Sequence, residues 1–185
     1  PTRRSSDLET SQAVRQAYNS FEFAKAFQVM YAFCNESLSS FYLDILKDRL
    51  YTSQAHCDER RSAQTVLFYI TNELVRLLAP ILVFTAEEVF EAMPKGTDLR
   101  SLDSIHLADW LNTPQEWRNP DLQERFSLLV ELRPFVMKAL EEERAKGLIG
   151  SSLEAKVVFE TASQRDQEYL TGRLKDLPEA FIVSQ

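Results

Sequence analysis

The chain has 185 residues, 44% of them hydrophobic and 26% charged, which excludes a disordered tail and leaves room for one or two packed domains. Its net charge of −7 excludes a general polyanion binder, whose affinity comes from Lys and Arg neutralising phosphates, so any nucleic-acid contact has to be local. No apolar run approaches the roughly 18 residues of a membrane span and the N-terminus has no secretory core, so a cytoplasmic monomer without membrane contact is expected.

Residues 1–8 read like the translation of an adapter oligonucleotide and are set aside as a non-native leader. Residues 9–96 step in apolar intervals of three and four with little glycine, which predicts a helical bundle. Its first helix covers 11–18. A second starts near Glu22, carries Phe23, Phe27, Met30 and Cys34 on one stripe, and breaks or bends near Asn35 before helix resumes over 38–50. A third begins near Arg60 and turns Leu67, Ile70, Leu74, Leu77 and Leu78 to the core. Pro80 ends it, since proline has no amide donor. Thr85 and Glu88 then have capping-box spacing for a helix whose apolar content is Val89, Phe90 and Met93, closed by Met93-Pro94-Lys95-Gly96.

From 97 to 119 the period is lost, which predicts a surface connection with a short extended piece at 105–107. Asn119-Pro120 reads as N-cap and first residue of a long helix carrying Leu122, Phe126, Leu129, Val136 and Leu140, kinked at Pro134 and stopped at Gly147. The β-branched and aromatic run 155–159, the helix-like 165–174 and the apolar 181–184 predict strand, helix, strand, with the two strands parallel in one sheet. The expected fold class is therefore mainly α: a helical bundle over 9–96, a connection over 97–119, and over 120–185 a long helix with a small, truncated α/β lobe.

Little of the chain suggests chemistry. His56 and His106 are the only histidines, and neither they nor Cys34 and Cys57 have the spacing of a nucleophile-base pair, a metal set or a disulfide framework. Glu87-Glu88 and Glu141-Glu142-Glu143 are neighbours that point apart on a helix, which suits a solvated face. Gly147 to Ser152 lacks phosphate-loop spacing and follows a helix. What remains is a basic, polar and aromatic set: Lys47, Arg49, Tyr51, Arg60, Arg61 and Gln64. Such residues hold single-stranded RNA by stacking and by hydrogen bonds to base edges, and Arg60 and Gln64 share a helical face near a helix start. The competing reading is that Asp44, Asp48, Asp58 and Glu59 neutralise these bases in surface pairs.

Residue order separates the two. Phe41-Tyr42-Leu43-Asp44-Ile45-Leu46-Lys47-Asp48-Arg49-Leu50-Tyr51 closely resembles a signature of isoleucyl-tRNA synthetases. Arg60-Arg61-Ser62-Ala63-Gln64-Thr65, Leu77-Leu78-Ala79-Pro80-Ile81-Leu82 and Phe84-Thr85-Ala86-Glu87-Glu88-Val89 are similar to the same domain in the same order. Ile149 to Ala155 and Phe181 to Gln185 look like its following junction segment, and Phe90 stands where the family often has Trp. The resemblance implies a module that grips the anticodon stem-loop of isoleucine tRNA, working in cis with the rest of a synthetase. It also implies ATP and magnesium for the parent enzyme and zinc in a C-terminal module absent from this sequence. The family's two ATP-site motifs are absent as well, so the chain by itself is expected to need no cofactor and to be non-catalytic. The alternatives are a helical protein-interaction or structural segment and the equivalent domain of a valyl or leucyl relative.

Overall fold

The computed structural model describes residues 2–112, 119–172, 174 and 177–183, and these fall into two compact units, 1–120 and 121–185. In the first unit, helix α1 (Thr2–Asn19) begins well before the expected residue 11 and buries Leu8 within the stretch set aside as a leader. It stops in a Schellman turn: the Glu22 amide donates to the Ala17 carbonyl at 2.8 Å and the Phe21 amide to that of Tyr18 at 3.0 Å, with Phe21 left-handed at φ 58°.

The second helix does not break at Asn35. Helix α2 (Phe23–Ala32) runs through a π-helical stretch (Phe33–Leu43) into α3 (Asp44–Tyr51), and both junction residues, Phe33 and Asp44, keep right-handed helical backbone. Widening to the i−5 register absorbs what the sequence suggested was an interruption, and the Ser40 hydroxyl donates to the Asn35 carbonyl at 2.7 Å across that same interval. The apolar stripe is also displaced. Ala26, Met30 and Phe33 face the core, whereas Phe23, Phe27 and Tyr31 are exposed, with Phe27 stacked on Tyr31 and Phe23 set against Tyr18 and Phe21.

Helix α4 (Asp58–Leu78) is the axis of the unit. Leu77 packs with Val14, Ala17, Ala26 and Met30 at one end, and Val66 and Ile70 pack with Phe33 toward the other. Burying a side chain of this size contributes roughly 1.5–3 kcal/mol, so these few residues carry much of the bundle. The helix ends just ahead of Pro80, as expected. The capping box does not form: α5 (Val83–Ala92) starts three residues earlier than that motif requires, with Leu82 as a cap that makes no side-chain bond. Residues 97–108 are not a surface connection, since Leu99 and Ile105 are buried with Val75, Phe90 and Met93, and Ile105–Leu107 forms a 3-10 turn instead of an extended piece. The Glu87 carboxylate holds that turn, accepting from the Ser104 hydroxyl at 2.8 Å and the Ile105 amide at 3.2 Å.

The second unit opens with α6 (Pro120–Ala145), with proline in the first helical position where its missing amide is harmless. The helix continues through Pro134, which sits on its exposed face, while Leu129, Val136 and Leu140 face the core; the side chains of Leu122 and Phe126 lie outside the described ones. Gly147 closes it at φ +73°, with the Leu148 amide bonded to the Glu143 carbonyl at 3.1 Å. Helix α7 (Gln164–Thr171) follows, and Ser163 caps it by accepting from the Asp166 amide at 3.3 Å.

The two expected strands do not pair. Residues 155–159 are extended and alternate in burial, with Ala155, Val157 and Phe159 turned inward, but they lie in no ladder. Phe181 ends a short helix, α8 (Leu177–Phe181), rather than starting a strand; Ser184 and Gln185 lie outside the described residues. The apolar residues of that segment find their partners without a sheet. Phe181 packs on Phe159 with ring centroids 5.3 Å apart, and the buried Arg133 guanidinium takes the Ala180 carbonyl. Among the described residues the lobe is thus helical with one extended segment, not α/β.

Candidate nucleic-acid interface

Helices α3 and α4 form a hairpin whose tip, residues 47–64, gathers all six residues that the sequence singled out. The tip is built from backbone outward. Cys57 is extended (φ −71°, ψ 150°) and starts α4 without a side-chain cap, and the Glu59 carboxylate takes its own amide within the first turn. Across the loop the Arg60 guanidinium Nη1 donates to the Ser53 carbonyl at 3.1 Å, and its Nε is buried with no partner among the described residues. Arg60 is therefore half-buried and tied to the loop.

The other five differ in what already occupies them. Lys47 pairs with Asp44 at 2.9 Å one helical turn away. Arg49 lies close enough to Glu59 to act on its charge. The Glu59 carboxyl is held below the usual carboxylate range first by its own backbone amide, then by the Cys57 thiol and the Arg49 guanidinium. Tyr51 is 84% exposed at the end of α3. Arg61 and Gln64 are exposed on α4, and neither side chain has a polar partner among the described residues; Thr65 bonds only to the Arg61 carbonyl. The surface-pair reading thus describes Lys47 and Arg49 but leaves Tyr51, Arg61 and Gln64 open to solvent. Over residues 47–64 four basic residues meet three acidic ones, so the tip escapes the net negative charge of the chain.

A separate cavity of about 340 Å³ between α1 and α4 is mainly apolar, and it does not include the tip. Its acidic wall is used through one oxygen: Glu73 Oε1 accepts from the Ser11 hydroxyl and pairs with Arg15 at 2.7 Å, while Oε2 is buried without a partner among the described residues. Arg15 also reaches the Leu111 carbonyl at 2.6 Å and lies over the Trp110 ring at 5.6 Å. Sequence reasoning missed a second cluster of this kind, in which buried Arg76 donates to Asn72 at 3.2 Å, pairs with Asp98 and takes the Asp109 carbonyl. Its signal was an arginine on the apolar face of an otherwise regular helix. Both clusters fasten the segment after α5 to the bundle, and neither offers a nucleophile or a metal set.

Among the described residues no helix is long and apolar enough to cross a membrane. Residues 7–159 match the family model described as the anticodon-binding domain of tRNA ligase. The isoleucine–tRNA ligase of Fervidobacterium nodosum is 42% identical over 172 residues, covering 93% of this chain and 18% of that protein. The corresponding ligase of Kosmotoga olearia is 43% identical over 173 residues, 93% of this chain and 19% of its own length. The chain therefore spans less than a fifth of the length of these curated relatives. With a helical hairpin ending in an exposed basic and aromatic tip, and with this match over most of its length, the chain belongs to the anticodon-binding domains of tRNA ligases.

Proposed function

We propose that the α3–α4 tip is the surface through which this chain holds the anticodon stem-loop, with isoleucine tRNA as its cognate. The observation that carries this reading is the exposure of Tyr51, Arg61 and Gln64 together beside the first turn of a 21-residue helix. Each supplies a different interaction with an RNA loop: an aromatic face for a base, a charged planar donor for phosphate or a base edge, and an amide for a base edge. Lys47 and Arg49 reinforce the local positive field while paired with carboxylates. Arg60 positions the loop. The module acts in cis with the rest of a monomeric, cytoplasmic isoleucine–tRNA ligase, whose aminoacylation with ATP and magnesium belongs to other parts of the polypeptide, as does any zinc module.

The test is tRNA affinity at two salt concentrations for Arg61→Ala and Gln64→Ala, with cognate and non-cognate tRNA. Loss of a phosphate contact weakens both tRNAs alike and reduces the salt slope by roughly one unit. Loss of a base contact falls on the cognate tRNA, by about 1–3 kcal/mol if a bidentate base contact is the guide. Unchanged affinity for both tRNAs in a folded Arg61→Ala, Gln64→Ala double variant would remove the tip from the interface and favour a protein-interaction segment.

A further inference from the structure

The cavity between α1 and α4 lies apart from the tip and has no part in the reading proposed above. It holds about 340 Å³, within the range of small-molecule sites, and its walls are mainly apolar, with Phe33, Val66, Ile70 and Leu77 among them. The charged residues that line it, Glu73 and Asp98, are both acidic, and no Lys, Arg or His lines it among the described residues. The Glu73 side chain is only 12% exposed. Its Oε1 is engaged by the Ser11 hydroxyl and by Arg15, whereas Oε2 is buried and has no hydrogen-bond partner among the described residues. Asp98 is partly exposed and already serves Arg76 and Asn72, so Glu73 Oε2 is the open acceptor of this wall. A buried carboxylate oxygen without a donor is unfavourable, and native interiors seldom leave one so. Water is a poor remedy here, because a buried water needs several polar partners and most of the surrounding wall offers none.

We infer that this cavity binds a small organic cation, a primary ammonium carried on an aromatic or branched aliphatic body. The ammonium donates to Glu73 Oε2 and the body lies on Phe33, Val66 and Ile70. A charged donor is favoured over a neutral hydroxyl, because a hydrogen bond between two ions is stronger than one with a neutral partner, and more so away from water. Arg15, which balances Glu73, does not line the cavity, so a ligand inside meets carboxylates and no base. The same field repels an anionic group on the same body. A ligand here touches α1, α4 and the segment 96–112 at once, so its binding holds the three together and stabilises the unit.

Methyl chemical shifts of the 185-residue chain, followed during titration with three probes that share one body, test this. Phenethylammonium should move the methyl signals of Val66, Ile70 and Leu77 and saturate with a Kd of about 1 mM or tighter, an affinity within reach of a ligand of this size. Phenethyl alcohol should bind about tenfold more weakly, and hydrocinnamate more weakly still. Glu73→Gln keeps the shape of the wall and should weaken the ammonium about tenfold while leaving the alcohol nearly unchanged. Signals that stay still up to about 10 mM phenethylammonium overturn the inference, as does an alcohol or carboxylate that binds as tightly as the ammonium. So does a folded Glu73→Gln that keeps the wild-type preference for the ammonium. Should that variant unfold, the three probes on the wild-type chain decide alone.

Discussion

Removing Arg76 should destabilise the first unit by about 4–6 kcal/mol, and the structure says where that cost arises. Arg76 is 6% exposed; its Nε donates to Asn72 at 3.2 Å, its Nη2 pairs with Asp98 at 2.5 Å, and its Nη1 takes the Asp109 carbonyl. Asp98 is 40% exposed and recovers water when the arginine is lost, so the ion pair itself contributes only about 1 kcal/mol. Asn72 cannot do the same, because it is 3% exposed and its side-chain oxygen is left buried without a donor, at about 1–3 kcal/mol. The aliphatic stem adds packing at roughly 0.8 kcal/mol per buried methylene. Urea unfolding of Arg76→Ala followed by tryptophan fluorescence reports directly, since Trp110 stacks on Tyr18 with centroids 5.8 Å apart in this unit. Arg76→Met keeps the stem and should recover about 1 kcal/mol or more of the loss. A cost below about 1 kcal/mol for Arg76→Ala would refute the assignment of Arg76 as the fastening of residues 97–112 to α4.

Alkaline titration should reveal Tyr18, whose hydroxyl donates to the Leu77 carbonyl at 2.7 Å and whose pKa is pushed up to about 12 by burial. The unfolded tyrosine loses its proton near pH 10 while the folded one keeps it, so this contribution is whole below pH 10 and declines by about 2–3 kcal/mol as pH rises to about 12. Thermal melts of wild type and Tyr18→Phe across that window isolate it from the lysines, and parallel declines would contradict it. Two of the left-handed helix ends should respond oppositely. Gly147→Ala, with open space around the added Cβ but φ +73°, should cost about 1 kcal/mol in urea unfolding, whereas Phe21→Gly should relieve a similar strain at φ 58°. Equal signs for the two changes would show that backbone conformation is not what governs them.

The helices of both units were legible because their apolar residues recur every three to four positions; Leu77, Ile70, Leu129 and Leu140 all face the cores. Periodicity could not give the phase of α2, where large aromatic residues at 23, 27 and 31 outweigh the small Ala26 that touches the core. It gave no sign of the π-helical register either, since one extra residue per hydrogen-bonded turn leaves composition unchanged and the region of Asn35 simply loses its rhythm. The segment at 155–159 shows the opposite failure. Its β-branched and aromatic composition suited an extended segment and its side chains alternate in burial, but composition carries no information about a hydrogen-bonded neighbour.

The Arg60-Arg61 doublet shows why the tip was legible as a group and not residue by residue. Consecutive positions on a helix point about 100° apart, so two adjacent arginines at a helix start cannot share a task. The structure gives the first to the protein: Arg60 turns in to the Ser53 carbonyl and fixes the loop that leads into α4. The second turns out, exposed and without a polar partner among the described residues, at the end of the helix that favours anions. On the reading proposed above, this arrangement matters more than the count of basic residues, because an acidic chain repels RNA from most of its surface and leaves one unpaired guanidinium beside a helix start. Sequence alone sees two equivalent arginines. The structure separates them: Arg60 is tied into the loop and Arg61 is exposed.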